Sequence, residues 1–239
     1  MCRMIAAVGR FEMGPLVEAV RSMASNTNPE YDHELRGEGE KLIHDCGWGV
    51  VFREDGTLVR RRSALSCLED AEFDALSGIR TDLAVLHARR TPSRETIDVL
   101  NSHPFVEDWR DEQWAFCHNG AVEDLTQFSS DDSLRPSGTV DSELMFHHLL
   151  TRLDTDAVPS SLVEILGEIR GFTCLNCFLA TPDSIVAHAR VSPDTPRPRY
   201  YTLWRARQDG VSLVSSEPFG AGRIEWSAVP DGSAFDVAD

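Results

Sequence analysis

Behind the initiator methionine stands a cysteine, Cys2. A small second residue favours removal of Met1, which would place a thiol and a free α-amine on the same residue. An unperturbed α-amine has a pKa of about 7.7–8.0. It can take the thiol proton, directly or through a water, and serve as general base for its own side chain. No separate histidine base is then needed. Attack of such a thiolate on an amide carbon creates an oxyanion, and Asn119-Gly120 offers a side-chain N–H and a backbone N–H to receive it. The same dipeptide is also a plain turn signal, and the two readings are compatible. Arg89 can grip a carboxylate through two parallel hydrogen bonds or form a surface ion pair. Asp141 can hold an ammonium group or help to start a helix. Trp48, between two glycines, reads equally as the floor of a pocket or as a core aromatic in a strand.

The elements that must position these residues follow from the apolar spacing. Arg3 to Val8 reads as a buried strand fixing Cys2 near the middle of the fold. Pro15 to Met23 reads as a short helix, with Pro15 near its first turn. Asn26 to Asp45 is polar and turn-rich. Trp48 to Arg53 and Thr57 to Arg62 are strands joined at Asp55-Gly56, a hairpin signal. Leu68 to Leu76 is helical, while Asp82 to His87 and Gln113 to His118 are strands. Asp141 to Leu153 and Ser160 to Ile169 are helices, the second stopped by Gly171. Thr173–Ala180, Ser184–Arg190, Arg199–Arg205 and Val211–Ser215 read as successive strands, and Ile224–Val229 adds one more. Strands at both ends with helices between them predict one layered α+β domain over residues 2–239.

The composition bounds the partners. The 239 residues carry a net charge of -16, and Lys41 is the sole lysine. Such a chain repels nucleic acid and anionic membranes. No stretch reaches the length of a membrane span and the start lacks the regions of a signal peptide, so a cytoplasmic location with six reduced cysteines is expected. Cys174-Leu175-Asn176-Cys177 lacks a second ligand pair for zinc, and residues three apart on a strand face opposite ways. His147 and His148 are adjacent on a helix and diverge. No phosphate-cradling glycine loop occurs. No metal or organic cofactor is expected.

Six segments recur together in one known setting. They are Met1-Cys2-Arg3, Asp45-Cys46-Gly47-Trp48-Gly49, His87-Ala88-Arg89-Arg90, Asn101-Ser102-His103-Pro104-Phe105, Phe116-Cys117-His118-Asn119-Gly120 and Gly138-Thr139-Val140-Asp141-Ser142-Glu143. In this order they resemble the class II (N-terminal nucleophile) glutamine amidotransferases. Ser215-Ser216-Glu217-Pro218 is similar to a late element of stand-alone members, such as the γ-glutamyl amidohydrolase of ergothioneine assembly. The resemblance covers essentially the whole chain and implies a four-layer α-β-β-α sandwich of two facing antiparallel sheets. It implies Cys2 as nucleophile, Asn119 and Gly120 as oxyanion donors, and Arg89 and Asp141 as holders of the substrate carboxylate and ammonium. His103 would border the glutamine pocket or pack its loop with Pro104 and Phe105. One departure stands out: after Arg90 the family usually continues with an Ala-Thr-x-Gly type segment, and here Thr91-Pro92-Ser93-Arg94-Glu95-Thr96 follows.

The resemblance implies cleavage of the γ-amide of glutamine or a γ-glutamyl amide through a thioester on Cys2. A free-standing amidohydrolase is the reading preferred. A glutaminase subunit feeding ammonia to a separate synthase chain is the alternative, and a non-catalytic γ-glutamyl binder is opposed by Cys2.

Overall fold

Residues Arg3–Glu12 form the first strand, β1, and its alternation sets the layers. Ile5 and Ala7 enter one apolar core while Met4 and Ala6 enter another, as a side-chain period of two requires. The computed structural model describes residues 2–239, apart from the side chains of residues 39–41. The later strands are β2 (Trp48–Glu54), β3 (Thr57–Ser63), β4 (Arg80–Ala88), β5 (Phe105–Trp109), β6 (Glu112–Val122), β7 (Phe172–Ala180), β8 (Ile185–Ala189), β9 (Trp204–Gln208), β10 (Val211–Ser215), β11 (Ser227–Ala228) and β12 (Ser233–Asp236). The helices are α1 (Gly14–Ala24), α2 (Ala71–Asp74), α3 (Asp141–Arg152), α4 (Val158–Glu168) and α5 (Pro198–Tyr201).

One sheet has the order β11-β9-β10-β1-β4-β2-β3 and the other β12-β8-β7-β6-β5. Every pairing among the described strands is antiparallel. The two sheets face each other across a core built from Met4, Ala6, Val51, Val85, Ala115, Cys117, Phe178 and Ala187. Helix α1 buries Leu16, Val17, Val20 and Met23 on the outer face of the first sheet. Helices α3 and α4 bury Met145, Phe146, Leu149, Leu162, Ile165 and Leu166 on the outer face of the second. This is the expected four-layer α-β-β-α sandwich. No helix among the described residues is long and apolar enough to cross a membrane.

Four elements differ from the sequence reading. Phe105–Trp109 and Ser233–Asp236 are edge strands of the second sheet. Arg199–Arg205 is not one strand: Pro198 opens a single helical turn that buries Tyr200 and Tyr201, and pairing begins only at Trp204. The proline ring presets the helical φ at that position. Leu68–Leu76 starts later, at α2, capped by Asp70 accepting from the Glu72 N–H, and runs on as a 3-10 helix over Ala75–Gly78.

Candidate active site

The register of β1 decides what meets Cys2. Met4 pairs with His87, and Arg3 with Ala88. On the other side of β4, Gly49 pairs with His87 and Trp48 with Ala88. Cys2, two residues before Met4, therefore shares the inter-sheet face with His87 and, two residues on, Arg89. Arg3 and Trp48 share the opposite face. Cys2 is buried, 5% exposed, and its main-chain nitrogen donates to Asn119 Oδ1 at 2.7 Å. Burial raises the Cys2 thiol pKa, but the charge of His87 and hydrogen bonds from His87 and the Arg90 main chain outweigh it and bring the thiol down to about 5. At neutral pH the sulfur is a thiolate, the reactive form.

Asn119 and Gly120 lie at the end of β6, where the register against β7 shifts between Gly120 and Val122. Gly120 has φ +153, and a Cβ there would overlap the Cys174 carbonyl oxygen, so only glycine lets the two strands approach this closely. The Asn119 carboxamide accepts from the Cys2 nitrogen through its oxygen and carries its NH2 on the same rigid plane, a donor next to Cys2. Asp141 is the first residue of α3. Its Oδ2 accepts from the Val122 N–H at 2.8 Å, and its Oδ1 accepts from Ser142 Oγ at 3.3 Å. The carboxylate is therefore tied to the irregular end of β6 and makes no cap bond to its own helix.

Arg89 continues past β4, its main chain bonded to Gly47 and Cys46. Its guanidinium is buried and donates to the Thr96 carbonyl at 3.0 Å, to Thr96 Oγ1 at 3.2 Å and to the Cys46 carbonyl at 3.4 Å. Among the described residues no carboxylate pairs with it. Thr96 ends the segment that departs from the family pattern, so that segment is fastened to Arg89. Next to it a cleft of about 230 Å³ is lined by Ile43, Asp45, Cys46, Arg90, Thr91, Pro92 and Arg94, and an Asp45–Arg94 ion pair of 2.8 Å borders it.

His103 lies against His87, ring centroids 4.3 Å apart, and edge-on to Phe105 at 4.6 Å. Burial, reinforced by the charges of His87, His118 and Arg89, holds its pKa well below the ordinary histidine value, so the ring is neutral. Its carbonyl sits where a Cβ on Gly49 would be, which packs this loop onto β2. His103 thus both packs its loop and borders the residue that faces Cys2.

Trp48 is not brought to this face. Its ring lies in the outer core, edge-on to Phe73 at 5.1 Å, and its Nε1 donates to Asp70 Oδ2 at 2.9 Å. The strand pairing dictates this, since Trp48 aligns with Ala88 and Arg3 rather than with His87. His87 is the residue the sequence reading passed over. Its signal was its place two residues before Arg89 on a strand, hence on the same face.

Cys174 and Cys177 enter different cores and are free. Glu107, Glu143 and His147 bring ligand atoms within 4.8 Å of one another. Glu143 is already occupied, accepting from Ser137 N, Ser137 Oγ and Gly138 N at 2.7–3.0 Å, and His147 meets Glu107 at 3.1 Å. This group fastens the loop before α3.

A family model described as class II glutamine amidotransferases matches residues 22–195. An uncharacterised protein of Methanocaldococcus jannaschii is 26% identical over 193 residues, 76% of this chain and 49% of that protein. The chain spans about half the length of the curated relatives it matches. A structure described as a predicted glutamine amidotransferase from Pseudomonas aeruginosa superposes with a TM-score of 0.60 at 16% identity, over 100% of this chain and 98% of that one. The glutamine phosphoribosylpyrophosphate amidotransferase of Bacillus subtilis does so with a TM-score of 0.66 at 16% identity, over 98% of this chain and 47% of that one. These structures share the fold.

Proposed function

The chain belongs to the class II glutamine amidotransferases, and from that premise we propose that it cleaves the γ-amide of glutamine or a γ-glutamyl amide through a γ-glutamyl thioester on Cys2. The sandwich is that of the N-terminal-nucleophile hydrolases. The observation that carries the reading is the bond from the Cys2 nitrogen to Asn119 Oδ1, beside a thiol lowered to about 5. Met1 lies outside the described residues. Once it is removed, that nitrogen becomes an α-amine with a pKa of about 7.7–8.0. The proton then rests on nitrogen and the negative charge on sulfur before substrate arrives.

The thiolate adds to the amide carbon while Asn119 and the Gly120 N–H receive the oxyanion. Arg89 takes the substrate carboxylate, releasing Thr96, and Asp141 takes the ammonium. His103 borders this pocket from behind His87. The α-ammonium passes its proton to the leaving amine or ammonia as the C–N bond breaks, and the thioester remains. Water, giving a proton back to the amine, adds to the thioester; glutamate leaves and the thiolate returns. Residues 2–239 act as one type-2 glutamine amidotransferase domain, and its six free cysteines suit a reducing, cytoplasmic setting.

Purified protein given glutamine and a panel of γ-glutamyl amides is expected to release glutamate unaided, and its intact mass should lack one methionine. A fully active chain that keeps Met1, or a fully active Cys2→Ala variant, overturns the reading. Glutamate release that requires an added synthase chain moves the assignment to ammonia supply.

A further inference from the structure

The ladder between β1 and β10 ends at the Ile5–Ser215 pair. Beyond it, the start of the chain is held on that side by the residues after β10. Ser216 bonds Met4 twice, its Oγ accepting from the Met4 N–H and its own N–H donating to the Met4 carbonyl, both at 3.0 Å. Next to it, the Glu217 side chain reaches Arg3, the neighbour of Cys2. Both side chains are fully buried, with Arg3 Nη2 2.8 Å from Glu217 Oε1. We propose that Glu217 is a positioning residue for the Cys2 nucleophile, acting through Arg3. The proposal rests on the reading of Cys2 as nucleophile.

The arrangement is over-determined on both partners. Glu217 also meets His33 Nε2 at 3.2 Å, Arg36 Nη2 at 3.1 Å and Asn28 Nδ2 at 2.8 Å. Arg3 also donates to the Tyr200 carbonyl at 3.2 Å, and its guanidinium lies 4.0 Å over the Tyr200 ring. A buried ion pair is weak support for stability, because apolar residues of the same size often serve as well. What a guanidinium clamped between a carboxylate, a carbonyl and an aromatic face does provide is a fixed orientation. Arg3 points to the outer face of the sheet, so its anchoring turns Cys2 to the inner one. There the Cys2 nitrogen reaches Asn119, and the sulfur lies against His87 and the Arg90 main chain. The Arg3–Glu217 pair joins the two ends of the chain, which couples the late Ser215-Ser216-Glu217 segment to the reacting atoms without touching them.

Among the described residues, the groups facing the thiol are His87 from β4, His118 and Cys117 from β6 and Tyr200 from α5. None of them changes in a Glu217→Gln variant. If Glu217 only supported the fold, the titration of the thiol would stay where it is. If it positions Cys2, loosening Arg3 carries the sulfur away from His87 and the titration moves up.

The test follows alkylation of Cys2 by iodoacetamide against pH, read on the Cys2 peptide by mass spectrometry, together with kcat and KM for glutamate release. Wild type should show a midpoint near 5. Glu217→Gln should raise it by about one unit or more and lower kcat roughly tenfold with KM nearly unchanged. Leu162→Ala, in the outer core behind α4, supplies equal destabilisation without the shift. A midpoint in Glu217→Gln equal to wild type, or moved no further than in Leu162→Ala, overturns the proposal. Should Glu217→Gln not fold, Asn28→Ala removes one hydrogen bond from the same carboxylate and must move the midpoint the same way by less; no movement overturns it. A wild-type protein that releases no glutamate, yet whose Cys2 midpoint rises in Glu217→Gln, defeats the activity and leaves the positioning standing.

Discussion

The Cys2 main-chain nitrogen and Asn119 Oδ1 are 2.7 Å apart, and their bond crosses from the first sheet to the second. One carboxamide can therefore orient the nitrogen with its oxygen and offer its NH2 to the substrate. Asn119→Ala removes both and should lower kcat by about 10²–10³, as the loss of one oxyanion donor does. Asn119→Asp keeps the acceptor, loses the donor and adds a negative charge beside the thiolate, so it should also raise the Cys2 alkylation midpoint. A kcat within a few-fold of wild type for Asn119→Ala removes the residue from the oxyanion role.

His87 provides the main attraction that overcomes burial at the Cys2 thiol. With the thiol lowered to about 5, the thiolate dominates above that pH and is lost as pH falls through it. His87→Gln keeps a polar side chain but no positive charge. Its alkylation midpoint should climb toward the ordinary thiol value of about 8.5, so that at pH 6 the variant reacts far more slowly while at pH 9.5 the two proteins converge. Superimposable profiles would mean that the charge comes from elsewhere.

How far the site could be read from sequence depended on whether each residue's partner is local. Asn119-Gly120 alone reads as a turn as readily as a pair of donors, and gains its second meaning from the segments around it. Arg89 and Asp141 gain meaning from neighbouring segments. Trp48 stays open in the sequence: alternation says that Trp48 and Gly49 face opposite ways but not which way the cleft lies, and only the pairing with Ala88 and Arg3 turns it into the outer core. His87 stayed silent for the same reason, as its role is set by Met4 on the adjacent strand. The Arg3–Glu217 pair joins residues 214 positions apart, beyond any local pattern. Among the elements, Arg199–Arg205 misled because its aromatic residues suit a strand, whereas Pro198 starts a turn that tertiary burial of Tyr200 completes.

The Trp48 placement carries its own prediction. Trp48→Phe retains most of the ring but leaves Asp70 without the indole donor. It should lower stability by about 1–3 kcal/mol in urea unfolding and leave kcat and KM within about twofold, a change worth under 0.5 kcal/mol. A rise in KM of tenfold or more would return the side chain to the pocket.

Glu217 should make folding sensitive to acid. Burial raises its pKa, but Arg3, His33, Arg36 and Asn28 together bring it to about 2, against about 4.3 for an exposed glutamate. Because the folded value is the lower one, this contribution is complete above the unfolded value and disappears as pH drops from about 4 to 2. Its size is on the order of 3 kcal/mol. Urea unfolding at pH 7 and pH 3 should therefore show wild type losing more stability than Glu217→Gln. Equal losses in the two proteins would mean that the carboxylate is not held down in the native state.

Arg89 is fastened by Thr96, so under the proposed function the carboxylate of a γ-glutamyl group must exchange with contacts the protein already makes. The guanidinium fork suits that exchange, since it can keep one partner while taking another. Arg89→Gln removes the charge and should raise KM about 100-fold, the equivalent of about 3 kcal/mol, with kcat much less affected because the acyl carbon and its oxyanion donors are untouched. Arg89→Lys, a point charge without the fork, should fall between the two. Steady-state glutamate release separates the alternatives: a fall in kcat with KM unchanged would place Arg89 in the support of the Thr91–Thr96 segment rather than in contact with the substrate.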